Sequence, residues 1–76
     1  MNKARREELQ TLLGEIEGLR DRLELLHGGE EEYLENIPEN LHGSEKYEKA
    51  DNAVCSLNDA LDSLDSVTDY IMGAIE

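Results

Sequence analysis

Three side chains that could bind a metal ion, His27, His42 and Cys55, fall in the middle of the chain. Structural zinc sites use histidine and cysteine at characteristic short spacings. The intervals between these residues match no such signature, and His27 and Cys55 fall outside the apolar stripes described below. The sequence therefore predicts unliganded surface side chains, with no metal and no other cofactor bound.

Residues suited to covalent or phosphate chemistry are also few. Ser44 and His42 are near neighbours, but residues of these types in this position are typical of turns and helix caps. Gly28 and Gly29 precede three glutamates, which would repel a phosphate group. No nucleophile, base and acid form a recognisable set. The sequence predicts a protein that is not an enzyme.

Aspartates recur every three or four residues in the second half of the chain. We call Asp59, Asp62, Asp65 and Asp69 the acidic stripe. Calcium loops need acids in a tight turn that contains glycine, whereas this run is predicted to be helical. One interpretation is a solvated face. The other is a rod of carboxylates that imitates a phosphate backbone and occupies a nucleic-acid-binding groove.

A second acidic segment lies before the middle of the chain. This glutamate cluster consists of Glu30, Glu31, Glu32 and Glu35. Like charges at helical spacing are mildly destabilising, so fold stability alone does not explain either acidic group. We expect the acidic stripe to form the main contact with a partner and the glutamate cluster to make a smaller contribution to binding.

The overall charge limits the class of partner. There are 19 acidic residues and 7 basic ones, for a net charge of −12. This charge disfavours direct binding to nucleic acid or to an anionic membrane, and it favours a protein with a basic or apolar surface. The single cysteine fits a reducing compartment, and no apolar run reaches membrane-spanning length. A cytoplasmic protein is expected.

Two apolar stripes predict two long helices. The first steps through Leu9, Leu12, Ile16, Leu19, Leu23 and Leu26 and continues to Tyr33 and Ile37. The second steps through Tyr47, Ala50, Val54, Leu57, Leu61, Leu64, Thr68, Ile71 and Ile75. Both alternate steps of three and four residues, which is the spacing of a coiled-coil seam.

The two stripes match when the chain is folded back around residue 40. Leu23 then lies opposite Leu57, and Leu19 opposite Leu61. The sequence therefore predicts an all-α fold, an antiparallel two-helix hairpin that forms one domain over residues 1–76. Helix 1 is expected over about 3–35, the bend over 36–43 and helix 2 over about 44–75.

Two further details of this hairpin concern the glycine pair and the charged residues at its open end. Gly28 and Gly29 cost about 1 kcal/mol each inside a helix, which favours a break or bend at 28–29. The alternative is a continuous helix that approaches Ala50 closely. Charges at the open end should also pair between the helices, with Lys3, Arg5 and Arg6 near Asp65, Asp69 and Glu76.

Helix 2 has more apolar surface than one partner helix can cover. Ala53, Ala60, Val67 and Ala74 recur every seven residues beside its stripe. A dimer that forms a four-helix bundle would bury this surface. The residues expected to form the seam and the self-association surface are Leu57, Ala60, Leu61, Leu64, Val67 and Ile71.

The bend has its own sequence signals. The residue before Pro38 is biased away from helix, so helix 1 should end by about Asn36. Ser44 is a suitable N-cap for helix 2. Ile37 and Leu41 are expected to close the end of the seam, above a Tyr33–Tyr47 pair.

The segment from Tyr33 to Leu41, YLENIPENL, leads into Ser44-Glu45-x-Tyr47 and an acidic helix rich in alanine and leucine. This pattern resembles small, acidic helical-hairpin proteins of phages and mobile elements of Gram-positive bacteria. There an N-x-P-E-N-L bend follows an aromatic residue and an acid. The Gly28-Gly29 pair departs from that group's usual run of glutamates. The resemblance implies a helical hairpin in a mobile-element setting and a bacterial host, but no particular activity.

The function expected from these features is that of an acidic interaction protein. It would bind and block a basic surface of a nucleic-acid-handling or host defence protein. One alternative is a structural adaptor that binds partner helices through its apolar seam. Another is a protein that holds a small ligand between two protomers.

Overall fold

The computed structural model describes all 76 residues, which form two long helices. Helix α1 spans Lys3–Glu35 and helix α2 spans Glu45–Ile75, with a short 3-10 turn at Glu39–Leu41 between them. The helices pack side by side in a rod whose Cα extents are 59 × 16 × 13 Å. This architecture, with helices only, confirms the predicted helical hairpin.

Both helices begin at a side-chain cap. The Ser44 hydroxyl accepts a hydrogen bond from the Tyr47 backbone N–H at 3.2 Å, as predicted. Asn2 caps α1 in the same way, since its Oδ1 atom accepts from the Arg5 N–H at 2.8 Å. Such caps satisfy backbone donors that the first helical turn leaves free.

The bend is closed by hydrogen bonds of its own. Helix α1 ends at Glu35 with Asn36 as its C-cap, and the Leu41 N–H donates to the Pro38 carbonyl at 2.8 Å. Ile37 is buried and closes the end of the seam, whereas Leu41 is about half exposed (47%) and does not.

The aromatic residues near the bend do not pair as predicted. The His42 ring stacks on Tyr47 with 4.3 Å between ring centroids. Its Nε2 atom lies 3.2 Å from the Ile37 carbonyl and donates to it in the matching tautomer. Tyr33 instead lies beneath the Lys46 ammonium group, 5.5 Å from the ring centroid. His42 thus takes the position on Tyr47 that was expected for Tyr33, and it also contacts the backbone of the bend.

Helix α1 passes through Gly28 and Gly29 without a break. The expected interruption is therefore not observed. Neither glycine has a positive φ, so both adopt ordinary helical backbone conformations. Ala50, the predicted opposite residue, is the most buried residue of the chain, at 4% exposure. Both glycines are exposed, however, and a Cβ atom at either would meet no atom within 4 Å, so neither packs on Ala50. The neighbouring seam residues His27 and Glu30 are partly buried, and this packing offsets the low helix propensity of the two glycines.

The seam of α1 differs from the predicted stripe in half of its positions. Leu9, Ile16 and Leu23 are partly buried, as expected. The alternate positions are filled by Leu13, Arg20, His27 and Leu34 rather than by their N-terminal neighbours Leu12, Leu19, Leu26 and Tyr33. Since α2 packs against one side of the wide apolar face of α1, the leucines on the other side remain exposed.

The charged residues at the open end do not form the predicted ion pairs between helices. Arg6 crosses to α2, but its Nε–H donates to the Ile75 carbonyl at 3.2 Å rather than to a carboxylate. Asp65 is bound by Arg20, which lies further along α1. The last carbonyls of α2 lack helical partners, so they offer Arg6 a strong acceptor at that end.

Candidate interaction surfaces

The acidic stripe lies on the exposed side of α2. Asp59, Asp62, Asp65 and Asp69 are all exposed. The acids of α2 and its C-cap Glu76 fall one, four or five residues after members of the heptad series Tyr47, Val54, Leu61, Thr68 and Ile75, and Glu45 takes the equivalent place two residues before Tyr47. The seven acids within the helix are Glu45, Glu48, Asp51, Asp59, Asp62, Asp65 and Asp69. With 3.6 residues per turn, these positions share one continuous side of the helix.

One member of the stripe is tied to the other helix. Arg20 Nε donates to Asp65 Oδ1 at 2.6 Å and Nη2 donates to Oδ2 at 3.2 Å, which makes the pair bidentate. Arg20 Nη1 also reaches Glu24 Oε2 at 3.1 Å. Hydrogen bonding to Arg20 lowers the pKa of Asp65, and the same contact raises the pKa of Arg20. Asp65 is thus partly neutralised and positions the two helices.

The other three aspartates are free of such contacts. Asp59, Asp62 and Asp69 have no basic nitrogen within 4.0 Å, and Lys49 is the last basic residue of the chain. Their carboxylates therefore face solvent with no internal counter-charge. They are the part of the acidic stripe that remains available to a basic partner.

The glutamate cluster lies apart from the acidic stripe. Glu30 is half-buried at the seam, while Glu31, Glu32 and Glu35 are exposed. The cluster adjoins Tyr33, which contacts Lys46 at the start of α2. Asp59 lies thirteen residues after Lys46, which is about 20 Å along the helix axis. The structure therefore separates the predicted acidic residues into two patches.

The candidate metal ligands do not form a site. His27 lies in the seam with its side chain only 13% exposed, which corrects the expectation of a surface residue. Its Nε2 atom has no hydrogen-bond partner and lies 3.7 Å from the Glu31 carboxylate. His42 belongs to the bend and Cys55 is exposed on α2. No three histidine, cysteine or acidic side chains are grouped to hold a metal ion.

The residues predicted for self-association fall into two groups. Leu61 is buried, and Leu57, Leu64 and Ile71 are partly buried between the two helices of the single chain. These four residues therefore hold the hairpin together. Val67 remains exposed and Ala60 partly so.

A second surface, which the sequence indicated only on α2, is apolar and lacks acids. We define the acid-free strip as Leu12, Leu19, Leu26 and Tyr33 of α1 with Ala53, Ala60, Val67 and Ala74 of α2. Each member precedes a seam residue by one position. In an antiparallel pair, equal steps from the seam lead to the same side of the hairpin. The contact between Tyr33 and Lys46, which both precede seam residues, confirms this placement at the bend end.

The strip and the acidic stripe lie on different sides of the hairpin. Arg20 contacts both Glu24 and Asp65, which each follow a seam residue by one position and therefore share the side away from the strip. The sequence contains a signal for this arrangement, because Leu13 and Leu34 make the apolar face of α1 wider than a simple seam. The exposed leucines lie along one edge of that face, and Leu13 and Leu34 lie along the other. The surface hollows are open and shallow, and none encloses a small molecule.

Neither helix has a segment long and apolar enough to cross a membrane. Comparison with protein families, with curated proteins and with solved structures found no significant match to this chain.

Proposed function

We propose that this protein is a non-enzymatic, acidic interaction module that binds and blocks a basic surface of a nucleic-acid-handling or host defence protein. The observation that carries the proposal is the placement of all seven acids of α2, and of its C-cap Glu76, on one side of the helix. Three of the four aspartates in the acidic stripe have no internal partner. Repulsion between acids on one side of a helix lowers its stability, so folding does not explain this placement. Binding to a basic partner does explain it.

The carboxylates of the acidic stripe form a regular row of negative charge along α2. Members of the acidic stripe are three or four residues apart, so their Cα atoms rise by about 4.5–6 Å from one to the next. Phosphates along one DNA strand rise by about 3.4 Å each. The carboxylates are therefore more widely spaced along the axis than phosphates, and a basic groove would meet about one of them per helical turn between Asp59 and Asp69.

The proposal includes self-association into a four-helix bundle. The acid-free strip supports it, because this strip leaves exposed leucines on a highly charged chain. A bundle would cover the strip and leave the acidic stripe of each protomer in solvent. The resemblance to hairpin proteins of phages and mobile elements supports a partner in a bacterial cytoplasm.

The experiment has two steps. Proteins captured from a bacterial lysate would be identified by mass spectrometry, and the affinity of the main partner would be measured against salt concentration. We expect a steep loss of affinity with salt, because exposed charge pairs are screened over about 10 Å at 0.1 M salt. The partner should also release bound DNA when this protein is added.

Matched variants test which carboxylates matter. The triple variant Asp59→Asn, Asp62→Asn, Asp69→Asn should weaken binding by at least tenfold. The control Glu7→Gln, Asp21→Asn, Glu39→Gln removes the same charge from exposed positions elsewhere and should bind nearly as well. Equal losses from both triples, or an affinity indifferent to salt, would refute the proposal.

An adaptor function is the second candidate, and the acid-free strip favours it. The partner helix would then lie on Leu19 and Leu26, since Leu61 is already buried inside the hairpin. Leu19→Gln would abolish partner binding in that case, and the triple aspartate variant would have little effect.

A further inference from the structure

The hairpin alone leaves an unusually large surface in water. Only four residues are buried: Ile37, Ala50, Val54 and Leu61. The accessible surface is 5761 Å², whereas a compact monomer of 8.6 kDa is expected to expose about 4,700 Å². The excess of about 1,100 Å² exceeds the roughly 800 Å² that each partner contributes to a standard protein interface.

Five of the ten exposed large apolar side chains belong to the acid-free strip, and they are the ones that form a continuous row. Leu19 and Leu26 are 55% and 68% exposed, and Leu12, Tyr33 and Val67 are each more than 40% exposed. From Leu12 to Tyr33 the strip is about 32 Å long, and the rod is 16 Å wide. In a chain of net charge −12, eight strip positions without an acid form a surface suited to burial against a partner.

The strip consists of layers that contain one residue from each helix. Tyr33 and Lys46 form the layer nearest the bend and are in contact. Because both helices repeat every seven residues, the next layers are Leu26 with Ala53, Leu19 with Ala60 and Leu12 with Val67. Arg5 with Ala74 forms the fifth layer, so the Leu19–Ala60 layer lies at the centre with two layers on either side.

The equal spacing of the layers is compatible with a twofold axis through the central one. We infer that the acid-free strip binds the same strip of a second copy in reversed orientation, so that the bend of each hairpin lies beside the open end of the other. Leu19 then packs on Leu19 of the second copy, and Leu12 packs on Leu26. Ala60 likewise meets Ala60, which lets the two α2 helices approach closely.

Charge favours the reversed orientation over one in which the two bends lie together. Lys3, Arg5 and Arg6 are at the open end, and the glutamate cluster is near the bend. Reversal packs α1 on α1, which brings the basic start of this helix beside the glutamate cluster of the other copy. The other orientation would gather both glutamate clusters at the same end of the dimer. Long-range attraction of this kind sets orientation more than affinity.

A specific ion pair follows from the same axis. Glu15 and Arg22 lie beside the strip on α1. Glu15 is four residues before Leu19, and Arg22 is three residues after it. Neither side chain forms an ion pair within the hairpin. Reversal places Glu15 of one copy beside Arg22 of the other, twice per dimer. In the unreversed orientation, Arg22 would instead face the region of Ser56.

The proposal rests on the self-association included above but not on the binding of a basic partner. Sedimentation over a range of concentrations should show a species of twice the 8.6 kDa chain mass. Leu19→Gln should weaken dimerisation by at least tenfold, whereas Leu25→Gln, a change at a leucine that is 79% exposed outside the strip, should not. A monomer at every concentration would overturn the inference and leave the binding of a basic partner untouched.

Charge exchange tests the orientation. Arg22→Glu places like charges at both Glu15 contacts and should weaken the dimer about tenfold, the effect of roughly 1.4 kcal/mol. Adding Glu15→Arg restores the pair with the charges exchanged and should return the affinity to within about threefold of the original. Failure of the double variant to recover would overturn the reversed arrangement.

A distance measurement gives an independent test that does not depend on stability. Asn40→Cys in a Cys55→Ser background places one spin label at the tip of each bend, where Asn40 is exposed. In the reversed dimer the two labels are about 60 Å apart, whereas in the unreversed dimer they lie within about 25 Å. Pulsed dipolar spectroscopy separates these outcomes, and the short distance would refute the inference.

Discussion

Arg20 joins the two helices by donating hydrogen bonds to both carboxylate oxygens of Asp65, at 2.6 and 3.2 Å. The two residues are 45 positions apart in sequence, so this contact reports on the pairing of α1 with α2 rather than on either helix alone. A planar guanidinium suits such a bidentate contact, which also fixes the relative positions of the helices.

Replacing Asp65 should reveal the pH dependence of this contact. Since Arg20 lowers the pKa of Asp65 from its ordinary value of 3.8, the folded state binds this proton less readily than the unfolded state does. The stabilisation is complete above pH 3.8 and is lost as the pH falls through the lower folded pKa. The melting temperature of Asp65→Asn should therefore lie below that of the original at pH 7, and the difference should vanish in strong acid.

Asp62→Asn is the control for this prediction, because it removes the same charge from an exposed residue without an ion pair. It should leave the melting temperature unchanged or raise it slightly through reduced repulsion. Equal destabilisation by both variants at pH 7 would show that the Arg20 contact is not responsible.

His27 places an unpaired polar atom in the seam. Its Nε2 atom has no hydrogen-bond partner, and its side chain is mostly buried. Replacing such a group with an apolar side chain removes a desolvation cost of about 1–3 kcal/mol. We expect His27→Leu to increase the free energy of unfolding in urea by about 1 kcal/mol. His42→Leu, which loses the contacts to Tyr47 and Ile37, should instead decrease it by a similar amount.

Gly28 and Gly29 should accept alanine with a gain in stability. A Cβ atom at either position would meet no atom within 4 Å, and neither residue has a positive φ. Each substitution should add about 0.5–1 kcal/mol to the free energy of unfolding. Gly73→Ala, in the last turn of α2 where the helix frays, should add less. A loss of stability at Gly28 or Gly29 would mean that the helix needs to bend there.

Ile37 is the apolar residue that closes the hairpin at the bend. It is 7% exposed, whereas Leu41 in the same segment is 47% exposed. Ile37→Ala should cost about 2–3 kcal/mol by chemical unfolding, through lost burial and a residual cavity. Leu41→Ala should cost less than about 1 kcal/mol. Similar costs for the two would indicate that Leu41 is covered in solution, as it would be by a partner.

The hairpin could be predicted because its signals are local and agree with one another. Apolar residues recur at helical spacing, Pro38 ends the first helix, and Ser44 has the side chain needed to start the second. The boundaries follow from the same residues. The break predicted at Gly28 and Gly29 was wrong, because each glycine costs only about 1 kcal/mol of helix stability. Packing along a helix of 33 residues supplies more stabilisation than that.

The α1 seam could not be located from the sequence because the apolar face of α1 is wider than one partner helix. Hydrophobicity favours Leu19 and Leu26 over Arg20 and His27 as seam residues, and the structure places them the other way round. The Arg20 side chain extends across the seam and places its charged group beside Asp65. Its apolar stem can therefore occupy a half-buried position while the charge stays paired. The placement of the acids on α2 is a signal in the sequence for the exposed apolar side, because it marks the side of α2 that has no acids.

The position of the bend also determines the order in which contacts can form as the chain folds. Tyr33 and Lys46 close a short loop, Arg20 and Asp65 are 45 residues apart, and Arg6 and Ile75 are 69 apart. Since closing a longer loop costs more entropy, pairing should begin at Ile37 and proceed toward the two termini. Amide hydrogen exchange in the native state would show this as protection that decreases steadily from the bend to the open end.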